Sequence, residues 1–295
     1  MKRSAPTKTP TEPQAERRSV AALWGGMFLG GAIAMALLLG QSCETPAEET
    51  VTPVEFEPSE PERPQVELLR ARVVERYPHD VTAFTQGLLW ADGALYESTG
   101  QYGGSTLRRV RLRDGKVLAE RELSPQFFGE GLARVGQRLI QLTWREEVAI
   151  VSNLDDLGEE RTLQYSGEGW GLCHDGEALV MSNGSATLTF RDPDSMAIRG
   201  RVTVRRDGVP VSQLNELECV DGTVYANVWR RQEILRIDPS TGEVTGVIDA
   251  RGLLSSREAF AADVLNGIAY RTDTGTFLLT GKYWPALFEV EFVPR

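Results

Sequence analysis

The feature that most restricts how this chain can fold is a phrase that returns five times. Each copy places a polar residue before a Gly and an aliphatic residue, runs to a Gly-centred turn, and ends an apolar strand in small, amide or Trp residues. The copies start at Gln86-Gly87-Leu88, Glu130-Gly131-Leu132, Trp170-Gly171-Leu172, Asn215-Glu216-Leu217 and Asn266-Gly267-Ile268, the fourth with Glu216 where the others have Gly. Their turn glycines, Gly93, Gly136, Gly176, Gly222 and Gly275, stand 43, 40, 46 and 53 residues apart, close to the ~40–50 of propeller blades. Pairs such as Asp92-Gly93, Asp175-Gly176 and Asp221-Gly222 turn a strand back on itself. Between copies lie further strand pairs, 108–112 with 117–122 around Asp114-Gly115, and 234–237 with 244–248. Four strands repeated five times without a long amphipathic helix predict an all-β, five-bladed β-propeller. A β-sandwich or barrel also has closely spaced strands, but neither predicts a fivefold phrase.

The repeat occupies only part of the 295 residues. Residues 1–19 form a basic tail with five Lys or Arg against two Glu. Residues 20–40 carry no charge over 21 positions, long enough at ~1.5 Å per residue to cross a ~30 Å hydrocarbon core, with the basic flank on the cytoplasmic side. They read as a membrane-spanning or signal segment. Cys43 follows in LLLGQSC, which has Gly and Gln where a bacterial lipoprotein site prefers an aliphatic and a small residue. Residues 41–67 form an acidic, Pro-rich linker, disordered because it has too little apolar surface to bury. Residues 68–295 are the expected propeller, placed outside the cytoplasm.

Composition excludes several functions. A net charge of −10 argues against a nucleic-acid binder. Three cysteines without a Cys-x-x-Cys pair, and only His79 and His174, leave no basis for a structural zinc site or a His-centred triad. Cys173 and Cys219, one step out of register in adjacent repeats, are expected to stay unbridged.

Equivalent positions of a propeller converge on its axis. The first position of the phrase gives a ring of Gln86, Glu130, Trp170, Asn215 and Asn266; the far end of the next strand gives Thr99, Trp144, Asn183, Trp229 and Lys282. One carboxylate, one ammonium, amides and three indoles make a pocket with few convergent polar groups. Glu168 and Glu216, neighbours of ring positions, are expected by strand alternation to point away from the channel.

The phrases FTQGLLW, FGEGL, QLTW, GEGWGL, LNELE, ANVW, LNGIAY and TGKYWP, together with YESTGQYGGS and SNGSATLTF, closely resemble the plant- and bacterial-type glutaminyl cyclases over about residues 73–292. The resemblance implies a five-bladed glutaminyl-peptide cyclotransferase that converts the N-terminal Gln of a peptide or protein to pyroglutamate and releases ammonia. It implies Glu130 as the proton shuttle and Lys282 near the amide oxygen, with Asn215 as its partner. Gln86, Trp144, Trp170 and Trp229 would hold the substrate, and Phe84 and Phe128 would pack around the pocket. No cofactor or catalytic metal is expected, a structural ion in the channel stays open, and the protein is expected to be a monomer whose membrane contact is its N-terminal segment. Two other readings compete. A calcium-dependent propeller lactonase or related hydrolase would need more hard oxygen ligands than this ring offers, and a non-enzymatic envelope scaffold has no need of Glu130, Lys282 and the Trp set.

Overall fold

The structure, a computed structural model, describes residues 65–295. The tail, the apolar span and all but the end of the linker lie outside the described residues. Among the described residues no helix is long and apolar enough to cross a membrane.

Five four-stranded antiparallel units follow one another along the chain. Blade 1 comprises Thr85–Ala91, Ala94–Thr99, Thr106–Arg111 and Lys116–Glu122; blade 2 comprises Gly129–Val135, Arg138–Thr143, Val148–Asn153 and Glu159–Gln164. Blade 3 comprises Leu172–His174, Leu179–Met181, Thr187–Arg191 and Ile198–Thr203, and blade 4 comprises Leu214–Val220, Thr223–Val228, Glu233–Ile237 and Val244–Asp249. Blade 5 takes Leu265–Arg271, Thr276–Gly281 and Ala286–Pro294 from the C-terminal end and completes itself with Glu67–Pro78, which pairs antiparallel with Ala286–Pro294. Residues 67–70 of that strand also pair in parallel with 246–249 of blade 4. Two small elements interrupt the repeat: a hairpin of Arg205–Arg206 with Val209–Pro210, and the helix Ser256–Ala261, whose start is fixed by a reciprocal Ser255–Glu258 capping box.

The apolar faces of the blades meet in five clusters, one per seam. Leu107 meets Leu132 and Leu139 between blades 1 and 2; Ile140 meets Leu172 between 2 and 3; Leu188 meets Leu217 and Leu235 between 3 and 4. Ile248 meets Ile268 and Leu279 between blades 4 and 5, and Leu88 meets Ala269 and Leu278 between 5 and 1, which closes the ring. Glycine serves two distinct ends here. At Asp92-Gly93 and Asp221-Gly222 both residues have positive φ (51° and 76°; 47° and 74°), as a type I′ hairpin turn requires. Within the repeated phrase, a Cβ on Gly131 would lie 2.5 Å from the Leu172 nitrogen, and one on Gly171 would collide with the Asn215 carbonyl oxygen. The phrase therefore carries Gly where the innermost strands of successive blades touch backbone to backbone.

Two expectations are corrected by this packing. Cys173 and Cys219 form a disulfide, with Cα atoms 5.5 Å apart. Residues at equivalent positions face the same side of their own blades, so contact across a seam needs opposite parity. The offset of one residue turns Cys173 of blade 3 toward blade 4 and Cys219 of blade 4 back toward blade 3. Glu216 does not point away from the axis: it is fully buried, and its carboxyl accepts hydrogen bonds from the Leu88 nitrogen of blade 1 (3.3 Å) and the Ile268 nitrogen of blade 5 (2.8 Å). The pairing register of its strand shifts between Leu214 and Leu217, and the bulge aims both Asn215 and Glu216 inward.

Candidate active site

A cavity of about 470 Å³ opens above the innermost strands. The phrase starts supply Gln86, Glu130 and Asn215, all buried, and Trp170; the ends of the next strands supply Trp144, Trp229 and buried Lys282. Phe84 and Phe128 stand in the same wall, their rings edge-to-face at 6.0 Å, and Phe128 in turn lies 5.6 Å from the Trp144 ring. Trp170 meets Trp229 edge-to-face at 5.8 Å. All nine residues singled out in the sequence thus line one cavity. Three other ring members do not. Thr99 is buried and shares a hydrogen bond with Thr106, Asn183 is exposed and closes a turn onto Ser185, and Asn266 is fully buried beneath Gln86.

Glu130 is held by a short relay. Asn266 Nδ2 donates to the Gln86 Oε1 (3.3 Å) and to the Thr85 carbonyl (3.0 Å); this fixes the Gln86 amide so that its Nε2 donates to Glu130 Oε1 at 3.0 Å. Burial pushes the Glu130 carboxyl well above its ordinary range; the Lys282 charge pulls it back, and Glu168 and Glu146 push it up again. Lys282 is displaced downward, chiefly by burial, against the pull of Glu130 and Asp263. Its Nζ lies 4.4 Å from the centre of the Phe84 ring. The two groups therefore move toward each other on the pH scale, the pattern that suits proton transfer. Asn215 Oδ1 is buried and has no hydrogen-bond partner in the protein.

Glu168 departs from expectation. It lines the cavity, where its Oε2 accepts from Trp144 Nε1 and Trp170 Nε1 at 3.0 Å each, and its Oε1 pairs with Arg145 at 2.9 Å. Alternation misplaced it because the strand begins only at Leu172; residues 165–171 run irregularly, and Gly167 has φ 89°. Arg145, Arg230 and Asp263 also line the cavity and were missed. The repeated Trp-Arg pairs at 144–145 and 229–230 were a legible signal for the two arginines. Among the described residues no three His, Cys, Asp or Glu side chains gather as a metal site.

The chain matches known proteins in sequence and in fold. The family model for glutamine cyclotransferase matches residues 39–292. A glutaminyl-peptide cyclotransferase of Arabidopsis thaliana is 42% identical over 225 residues, covering 74% of this chain and 70% of that protein. The crystal structure of Myxococcus xanthus glutaminyl cyclase superposes with a TM-score of 0.72 at 43% identity, covering 78% of this chain and 100% of that one. Five blades, a buried glutamate on the axis and these matches lead to one assignment: the chain belongs to the glutamine cyclotransferase family.

Proposed function

We infer that this protein is a glutaminyl-peptide cyclotransferase, which closes an N-terminal Gln to pyroglutamate, and that Glu130 moves the proton. The observation that carries the role of Glu130 is its placement: buried on the axis, held by Gln86, and electrostatically coupled to Lys282. In the reaction the neutral α-amine attacks the γ-carboxamide carbon of its own residue. A C–N bond forms, the carbonyl electrons move onto oxygen, and the amine proton passes to the Glu130 carboxylate. Glu130 returns that proton to the amide nitrogen, the old C–N bond breaks as the carbonyl re-forms, and ammonia leaves. One carboxyl suffices because the same proton is taken and given back. The Lys282 ammonium stabilises charge on the oxygen, and the free Oδ1 of Asn215 suits an N–H of the substrate amide. Trp144, Trp170, Trp229, Phe84 and Phe128 enclose the folded-back side chain and exclude water, which favours the bent geometry that ring closure needs.

No metal or cofactor enters this course. We also infer an extracytoplasmic location from the uncharged run 20–40, and the Cys173–Cys219 bridge supports that reading because disulfides persist in oxidising compartments. Purified full-length protein is expected to release ammonia from a Gln-initiated peptide equally with and without chelator, and the Glu130→Gln variant to lose that release. Ammonia from neither enzyme, or release abolished by the chelator, overturns the reading.

A further inference from the structure

The same position in blades 2 and 4 carries a Trp followed by an Arg, and both arginines fold back over their own indoles. Arg145 Cζ lies 3.7 Å from the Trp144 ring centre and Arg230 Cζ 4.2 Å from that of Trp229, both on the wall of the cavity. Their charge environments differ. Arg145 is neutralised by Glu168 at 2.9 Å. The third cation of the site, Lys282, feels Glu130 and Asp263. Arg230 is exposed and, among the described residues, has no carboxylate within 4.0 Å. Its backbone is also costly: φ is +66° at a tight turn closed by the Arg231 nitrogen on the Val228 carbonyl, where Gly or Asn would sit without strain. An unpaired guanidinium, held over an indole by a strained turn, is a charge presented to whatever leaves the cavity.

Given the cyclase reading, on which this rests, what leaves the cavity is the remainder of the substrate. With the Gln side chain at Glu130, each further residue carries the peptide at most about 3.3–3.6 Å outward, so the next few residues pass the indole rim. We propose that Arg230 is a specificity residue that selects Gln-initiated peptides bearing a carboxylate within the next few residues. The carboxylate comes from an Asp or Glu side chain or from the free C-terminus of a very short peptide, and the chemistry of recognition is the same: a planar guanidinium takes a carboxylate in a two-point hydrogen-bonded pair.

The test uses C-terminally amidated tetrapeptides that begin with Gln and carry Glu, Lys or Ala at the second or third position, with a free-acid Gln dipeptide to separate the two sources of carboxylate. For the wild-type full chain, kcat/KM for the Glu peptides should exceed that for the Lys peptides roughly three- to tenfold, because attraction to one charge is compared with repulsion of the other at an exposed site. The ratio should shrink at high salt. Arg230→Glu should invert it, and Arg230→Lys should keep its sign. A ratio near one in the wild type, or one unchanged in Arg230→Glu, overturns the proposal. The same peptides titrated against Glu130→Gln enzyme, read by Trp fluorescence, give the ratio as Kd. Charge selectivity therefore remains measurable if no peptide releases ammonia, a result that would remove the cyclase reading alone.

Discussion

At the level of single residues, the proposed mechanism depends on the proton balance between Glu130 and its neighbours. Glu130→Gln keeps the size and the contact with Gln86 but carries no transferable proton, and kcat should fall by about 10²–10⁴, as for loss of a general acid–base group. The sign of the pH dependence follows from the causes of the shift. Burial raises the Glu130 carboxyl, so the carboxylate form appears late and kcat/KM should rise with pH through that raised value. Lys282 holds the carboxyl down; Lys282→Met should therefore move the acidic limb of the profile to higher pH, besides lowering kcat by about 10²–10³ through loss of charge stabilisation. An acidic limb that stays in place in Lys282→Met would refute the coupling. Glu168 acts through others: it orients two indoles and Arg145. Glu168→Ala leaves the two part-buried indole N–H groups without their acceptor and should raise KM more than it lowers kcat in steady-state assays.

Individual strands show what was legible in the sequence and what was not. The turns were legible because Asp-Gly pairs have a local conformational reason, and so was the ring of site residues, because the phrase repeats. The Gly after the ring residue in blades 1, 2 and 3 was legible as a pattern but not as a cause; its cause is the next blade's backbone, which no local signal carries. The three corrected expectations share an origin, since counting along ideal strands misplaces Cys219, Glu216 and Glu168 alike. A bulge re-aimed Glu216, and Cys219 needed the facing blade to be judged. Glu216 now accepts the inner-edge N–H groups of two other blades, and burial keeps its carboxyl well above the usual range, with nearby Glu218, itself pushed up to about 8, adding to the effect. Glu216→Ala would strand both donors and should cost about 2–5 kcal/mol in urea unfolding, whereas Glu216→Gln keeps one acceptor and should cost less. The disulfide closes a loop with a sequence separation of 46. Its removal in Cys173→Ser should cost about 2–4 kcal/mol in the same measurement, and an unchanged midpoint would deny the bridge.

The propeller is a ring closed at one seam, where the first described strand, Glu67–Pro78, completes the last blade. A buried ion pair sits just past that strand. His79 Nε2 faces Glu97 Oε1 at 3.0 Å, and its Nδ1 faces the Trp284 carbonyl at 2.8 Å. Both partners are acceptors, so the ring serves them both only as the imidazolium. Burial pushes His79 down, but the charge and hydrogen bond of Glu97, the Trp284 carbonyl and Asp80 outweigh it and the net displacement is upward. Glu97 is raised by burial and brought below its usual range by His79, the Thr85 hydroxyl and Arg108. The seam and the site share one turn: the Tyr283 nitrogen donates to the Ala83 carbonyl and the His79 nitrogen to that of Pro285, immediately beyond Lys282. The His79 contribution to stability is complete below its unfolded value near ~6.5 and is lost as pH rises through the raised folded value; that of Glu97 is present above about 4.3 and is lost as pH falls through its lowered folded value. Between those limits His79→Gln leaves Glu97 buried without its imidazolium partner and should cost about 3–5 kcal/mol. The deficit should be greatest between about pH 4.3 and 6.5 and shrink as pH rises through the raised folded value of His79, where the wild-type imidazole also loses its proton. Urea midpoints of both proteins across that range decide it, because a neutral packing role for His79 requires a deficit that does not change with pH.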